Sequence, residues 1–329
     1  MSENPVTIYF GEALGRYGFG DGHPFGPDRI EAFWRETLRQ GLDKRVSIAA
    51  PQRCDEEALI QFHTQGYVNR VKVQSENGDG YLDAGDTPVF PGVYIAACNV
   101  VGSVLDGMQR ILDGSHPKVF VPIAGLHHAR RDSAAGFCVF NDAGVLIENL
   151  RARFGIRRVA YIDIDAHHGD GVFYAFESDP DLIFADIHED GRFLYPGTGA
   201  VDETGKGEAK GKKLNLPLPP LANDSHFHRV WPVVEAFIRQ GKPELIILQA
   251  GADSIQGDPI THMEFTPAAH EYAAGRLSKL ADEFCNGRMI ALGGGGYNRS
   301  NLALGWNGVV RAMLTGNAPK GALRTGSGV

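Results

Sequence analysis

Six short, almost uninterrupted apolar runs constrain this chain most: VTIYF (6–10), KVFVPIAG (118–125), RVAYIDID (158–165), LIFADIH (182–188), ELIILQAGAD (244–253) and MIALGGGG (289–296). They are rich in β-branched residues and do not alternate with polar ones, which suits strands of a parallel sheet covered on both faces. Helical patterns lie between and around them, at 27–42, 92–114, 141–155, 224–241, 266–284 and 300–314, the first with Pro near its start and Gly near its end. Strand and helix therefore alternate as in βαβ units with right-handed crossovers. The expected fold class is α/β, with one domain over residues 1–317 and a polar, flexible tail at 318–329. The Gly/Lys-rich stretch 203–213 reads as a surface loop rather than a domain boundary.

Composition removes several function classes. Hydrophobic residues at 43% and charged residues at 22% are those of a folded globular chain, not of a disordered or collagen-like one. A net charge of −8 argues against non-specific attraction to nucleic acid or anionic lipid. The start has no basic segment followed by an apolar one, and no run approaches 18 apolar residues, so the chain is read as cytoplasmic with no membrane partner. Cys54, Cys98, Cys138 and Cys285 lie far apart with no C-x-x-C pair, which indicates neither a disulfide framework nor a zinc finger. Any metal must be held by other ligands, and the 12 histidines include two His-His pairs.

The chemistry gathers where the apolar runs end. Asp163, Asp165 and His167 alternate, so a continued strand would put them on one side. Strand carboxyl ends are where open α/β sheets bind ligands. A second run ends on Asp253, and Asp165, His167 and Asp253 would make an oxygen–nitrogen–oxygen site with a position left for water, the catalytic form of a zinc site. A third run leads to His127-His128, two imidazoles able to act as base and acid if their protonation states are held apart. Asp163 and Asp170 are the carboxylates available to fix their tautomers. Gly136-Phe137-Cys138 could wall a narrow channel. The four glycines 293–296 lack the pattern of a phosphate loop, and instead allow close backbone approach that would bring the Tyr297 hydroxyl to an oxyanion.

Taken together, these motifs resemble the histone deacetylase family in its broad sense, which includes bacterial acetoin-utilisation proteins and acetylpolyamine amidohydrolases. The resemblance runs from about residue 15 to 315. It rests on Arg16 to Pro24, Phe62-His63-Thr64, His127-His128-Ala129, Gly136-Phe137-Cys138, Asn141-Asp142, Asp163 to Gly171, Tyr195 to Gly199, Gly251 to Ser254 and Gly293 to Tyr297. The four-glycine form before Tyr297, with Gly-Ala-Asp-Ser, is more similar to the class I and acetoin-utilisation branch. The resemblance implies the arginase/deacetylase fold, a three-layer α/β/α domain around a mostly parallel sheet of about eight strands. It also implies a hydrolase that removes acetyl or other acyl groups from the lysine side-chain amine of proteins or peptides.

Carried over by position, the family's pattern makes Asp165, His167 and Asp253 the ligands of zinc, with iron(II) as an alternative. His128 becomes the general base and acid, His127 its companion, Asp163 and Asp170 their partners, and Tyr297 the residue that polarises the carbonyl. Phe137 and Tyr195 would grip the acyl-lysine stem beside Gly136, with Asp86 as the rim aspartate and Arg29 as a buried arginine below the metal. A structural potassium ion is implied near Asp163, Asp165, His167, Asp186 and Ile187, where Asp186 replaces a common Ser. Ile260, seven positions after Asp253, stands where one polyamine-deacetylase branch carries Glu, which favours a monocationic stem over a polyamine. An acetylpolyamine or another small N-acetylated amine is the alternative substrate. An arginase-like two-metal enzyme would need a D-x-D pair where this chain has Asp253 and Asp258, and an acyl-lysine-binding pseudoenzyme would lack one of the catalytic residues. The oligomeric state is left open by the sequence.

Overall fold

The computed structural model describes residues 4–20 and 22–315. The expected tail at 318–329, and Asp21 of the first motif, lie outside the described residues. Eight strands form one sheet in which every neighbouring pair is parallel. They are β1 (Val6–Tyr9), β2 (Ser47–Ala49), β3 (Lys118–Val121), β4 (Val159–Asp163), β5 (Leu182–Glu189), β6 (Lys213–Leu218), β7 (Leu245–Gln249) and β8 (Met289–Leu292). Their spatial order is β2-β1-β3-β8-β7-β4-β5-β6.

The α-helices are α1 (Glu12–Gly15), α2 (Arg29–Arg39), α3 (Glu56–Leu59), α4 (Gln65–Asn77), α5 (Val93–Leu112), α6 (Asp142–Phe154), α7 (Asp170–Ala175), α8 (Asp224–Gly241), α9 (Pro267–Phe284) and α10 (Arg299–Thr315). One group, α2, α8, α9 and α10, packs together and on the sheet, and a second group is built around α4, α5 and α6. All residues of β3, β4, β5, β7 and β8 are buried. Burial on both faces is why these runs are continuous rather than alternating.

All six apolar runs contain strands, but five strands stop earlier than their runs, at Tyr9, Val121, Asp163, Gln249 and Leu292. The expected extension as far as His167 is therefore corrected. Side-chain acceptors replace the sheet ladder there. The Asp165 N–H donates to Asp163 Oδ1 (3.1 Å), the Ala166 N–H to Asp253 Oδ1 (2.9 Å), and the Gly251 N–H to Gln249 Oε1 (2.7 Å). The residues that build the site are thus also those that end the strands.

Candidate active site

Asp165 and His167 leave the end of β4, and Asp253 sits in a 3-10 turn (Ala252–Ser254) after the neighbouring strand β7. Their ligand atoms lie within 4.8 Å of one another, and all three residues are buried. His167 Nδ1 is 3.0 Å from Asp165 Oδ1 and 3.2 Å from Asp253 Oδ2. Asp253 Oδ2 is nonetheless buried without a hydrogen bond. An orphaned carboxylate oxygen beside a second carboxylate and an imidazole is a donor set that fits a divalent cation. Burial, and then the charge of Asp165, push the Asp253 carboxyl up to about 7, a cost that a bound cation would offset.

Backbone and strand hold these ligands in place. The His167 N–H donates to Asp165 Oδ1 (3.0 Å), while Asp165 Oδ2 accepts from the Gly295 N–H (2.9 Å) and from Gln249 Nε2 (2.8 Å). A Cβ at Gly295 would lie 1.9 Å from Asp253 Oδ2, so only glycine fits there. Gln249 also donates to the Gly125 carbonyl (3.1 Å), tying the ligand cluster to the loop that carries the histidines. Its signal in the sequence was a lone polar residue in an apolar run.

His127 Nδ1 faces Asp163 Oδ2 at 2.8 Å, His128 Nδ1 faces Asp170 Oδ1 at 2.7 Å, and the two Nε2 atoms are 3.0 Å apart. A carboxylate only accepts, so in the His128–Asp170 pair the proton sits on His128 Nδ1 and leaves Nε2 to the site. Burial, and then His127, lower His128 to about 4. His128 is therefore neutral near pH 7. Asp163 is raised well above its ordinary range by burial, then by Asp186 and Asp165.

Further residues brace this pair. The Tyr161 hydroxyl donates to Asp163 Oδ2 (2.7 Å), and Arg130 Nη2 lies 3.4 Å from Asp170 Oδ2. Asn141 caps α6 through the Gly144 N–H (2.8 Å) and donates to the Ala129 carbonyl (2.9 Å), while His63 Nε2 accepts from the Asn141 N–H (3.0 Å). Asp142 accepts from the backbone of Gly125 and Leu126.

A cavity of about 280 Å³ leads to these groups, and its lining includes Phe25, Gly136, Phe137, Tyr195, Ile260 and Tyr297. Gly136 has φ 53°, and a Cβ there would come within 2.4 Å of the His128 ring. Phe137 meets Tyr297 edge to face with ring centres 5.7 Å apart, and Tyr195 meets His128 likewise at 5.1 Å. Burial, and then Asp253 and Asp165, raise Tyr297 well above its ordinary value, so its hydroxyl keeps its proton. Arg29 is fully buried, donates to the carbonyls of Gly296 (2.9 Å) and Gly294 (2.6 Å), and has Nη1 without a partner. Asp86 lines both this cavity and an open groove of about 610 Å³ beside it. Burial, and then Asp83, raise its carboxyl to about 6.

Asp258 has a place the sequence did not reveal. One oxygen accepts the Ile260 N–H (3.1 Å) and the other the Tyr297 N–H (2.8 Å). It joins two walls of the cavity and does not belong to the Asp165–His167–Asp253 group, which removes the support for a two-metal site. Asp186 pairs in register with Asp163 across β4 and β5. Its carboxylate accepts from the Gly169 N–H (2.8 Å) and faces His188 Nδ1 (2.8 Å), whose Nε2 faces the Gly199 carbonyl (3.0 Å). Both His188 nitrogens thus meet acceptors, and its pKa is raised despite burial by the charge and hydrogen bond of Asp186. A protonated His188 balances the charge that Asp186 adds.

The family model described as "Histone deacetylase domain" matches residues 23–313. The chain belongs to this family. Among curated proteins, it is 36% identical over 286 residues to "Acetoin utilization protein AcuC" of Bacillus subtilis (strain 168), covering 79% of this chain and 72% of the relative. It is 33% identical over 277 residues to "Histone deacetylase B" of Dictyostelium discoideum, covering 82% and 65%. It is 32% identical over 275 residues to "Histone deacetylase RPD3" of Saccharomyces cerevisiae, covering 80% and 63%, so it spans less than two thirds of the latter two. The solved HDA15 HD domain superposes with a TM-score of 0.87 at 26% identity, over 95% of this chain and 90% of that one. The arginase/deacetylase fold expected from the motifs is the fold observed. Among the described residues no helix is long and apolar enough to cross a membrane.

Proposed function

We propose that residues 1–317 form one catalytic domain that hydrolyses the amide of an acylated lysine side chain, releasing acetate or another carboxylate and the free amine. The observation that carries this reading is the meeting of three groups at the end of one narrow cavity: the Asp165–His167–Asp253 cluster with its orphaned oxygen, the neutral His128 and the protonated Tyr297 hydroxyl.

Phe137 and Tyr195 flank the aliphatic stem, and Asp86 at the rim accepts a hydrogen bond from the substrate backbone. Zinc, with iron(II) as the alternative, would be held by Asp165, His167 and Asp253 and supply a Lewis acid that polarises the acyl carbonyl and makes water more acidic. His128 Nε2 takes a proton from the attacking water, and Asp170 stabilises the charge that develops on the ring. Tyr297 donates to the oxyanion of the tetrahedral intermediate. The His127–His128 pair then returns a proton to the leaving amine. A potassium ion would rest on the carbonyls of Asp163, Asp165, His167 and Ile187, with His188 rather than the ion balancing Asp186.

Ile260 at the cavity mouth supports acyl-lysine over a polyamine, because it offers no carboxylate to a second ammonium. The reading also takes the chain as cytoplasmic, and its net charge of −8 weighs against nucleic-acid or membrane partners. The test is a panel of acetyl-lysine peptides, longer acyl-lysines and acetylpolyamines offered to zinc-loaded and iron(II)-loaded protein. Peptide hydrolysis supports the proposal. Hydrolysis of acetylpolyamines alone transfers the same machinery to small amines, and no hydrolysis by metal-loaded protein overturns it.

A further inference from the structure

Cys54 and Cys98 are far apart in sequence, yet the fold brings them together. The segment before α3 lies directly on α5: the Gln52 N–H donates to Ser103 Oγ (3.2 Å) and the Cys54 N–H to the Cys98 carbonyl (3.1 Å). Gly102 makes this approach possible, since a Cβ there would meet the Cys54 nitrogen at 2.3 Å. A backbone hydrogen bond of this kind holds two Cα atoms about 5–6 Å apart, the separation most disulfides span. The two thiols are close enough that each is the largest influence on the other's acidity. Both cysteines are free; Cys98 is buried and Cys54 is partly open to solvent.

We propose that Cys54 and Cys98 form a reversible oxidation site that closes to a disulfide when the protein meets a hydroperoxide. The thiolate of one cysteine attacks one peroxide oxygen, the O–O bond breaks, and the other oxygen leaves as water or an alcohol after taking a proton, which gives a sulfenic acid on that cysteine. The sulfur of the second cysteine then attacks the sulfenic sulfur. The S–O bond breaks and hydroxide departs with the proton of the second thiol as water. Two thiols lose two electrons, and one hydroperoxide gains them. Neither Cys138 nor Cys285 has a cysteine among the groups that act on it, so neither has a partner for a bridge. The bridge would close a segment that carries His63, α4 and the rim residue Asp86.

The test treats the purified full-length protein with hydrogen peroxide, unfolds it, alkylates the remaining thiols and maps cysteine-containing peptides by mass spectrometry. The proposal expects two of the four cysteines to escape alkylation, a Cys54–Cys98 cross-linked peptide lighter by two hydrogens, and full recovery with dithiothreitol. Cys54→Ser and Cys98→Ser should each abolish the cross-linked peptide. Retention of all four alkylatable thiols, oxygen adducts on Cys98 with Cys54 still free, or a bridge to another cysteine would each overturn it.

Discussion

His127 Nε2 and His128 Nε2 lie 3.0 Å apart, and each ring is backed by its own carboxylate at 2.8 or 2.7 Å. Burial and then the neighbouring ring keep His128 low, at about 4. A base must be deprotonated to work, so the acid limb of the pH–rate profile should fall below the ordinary histidine range, with activity persisting at pH 5.5 and failing as pH approaches about 4. His128→Ala should lower kcat at least ~100-fold at every pH, the low end for an acid–base group. A limb centred near 6.5 would contradict the assignment.

Tyr297→Phe removes the one hydroxyl aimed at the oxyanion. Turnover should fall ~100-fold or more, with bound zinc unchanged by elemental analysis. Near-normal turnover in a zinc-loaded variant would take the role away from Tyr297.

Asp258 positions Tyr297 and Ile260 through their backbones, 2.8 and 3.1 Å from its two oxygens. Asp258→Asn keeps one acceptor and turns the other into a donor facing an N–H. We expect kcat to fall about tenfold or more while zinc stays bound, a cost of ~1.4 kcal/mol or more, as for a buried amide left unpaired. Loss of zinc in this variant would show that Asp258 serves the ligands instead.

At the rim, the Asp86 carboxyl is raised to about 6 by burial and then by Asp83. Its ionised form is the acceptor for the substrate backbone, so KM for peptides should rise as pH falls through about 6. Asp86→Asn should raise KM at pH 8 and flatten that dependence. A KM of the variant that still tracks pH through 6 would assign the effect to another group.

Much of the site was legible because the residues that end strands are polar in a place where everything before them is apolar. Asp165, His167 and Asp253, the two histidines and Tyr297 all announced themselves in that way. The edge strands β2 and β6 were not among the six runs: one has three residues, and the other is half-exposed and contains Pro217. Both properties suit an edge and weaken the apolar signal. Helix α4 was also missed, since its sequence QGYVNRVKVQSEN carries Gly and β-branched residues and relies on the Thr64 side chain to cap it. Tyr161 lies only two residues before the Asp163 it donates to, and Gln249 showed as a lone polar residue in an apolar run, whereas Arg130 and Asp258 act on Asp170 and Tyr297, distant in sequence, so no local spacing could reveal them. The same holds for Cys54 and Cys98.

Acetate release from an acetyl-lysine peptide tests the central claim most directly when it is followed as chelator-stripped protein is titrated with zinc, for the native chain and for Asp253→Ala. The account predicts that release by the native chain rises from zero to a plateau at one zinc per chain, and that Asp253→Ala neither binds that equivalent nor releases acetate. Equal release by stripped and zinc-loaded protein, or by the variant, would contradict it.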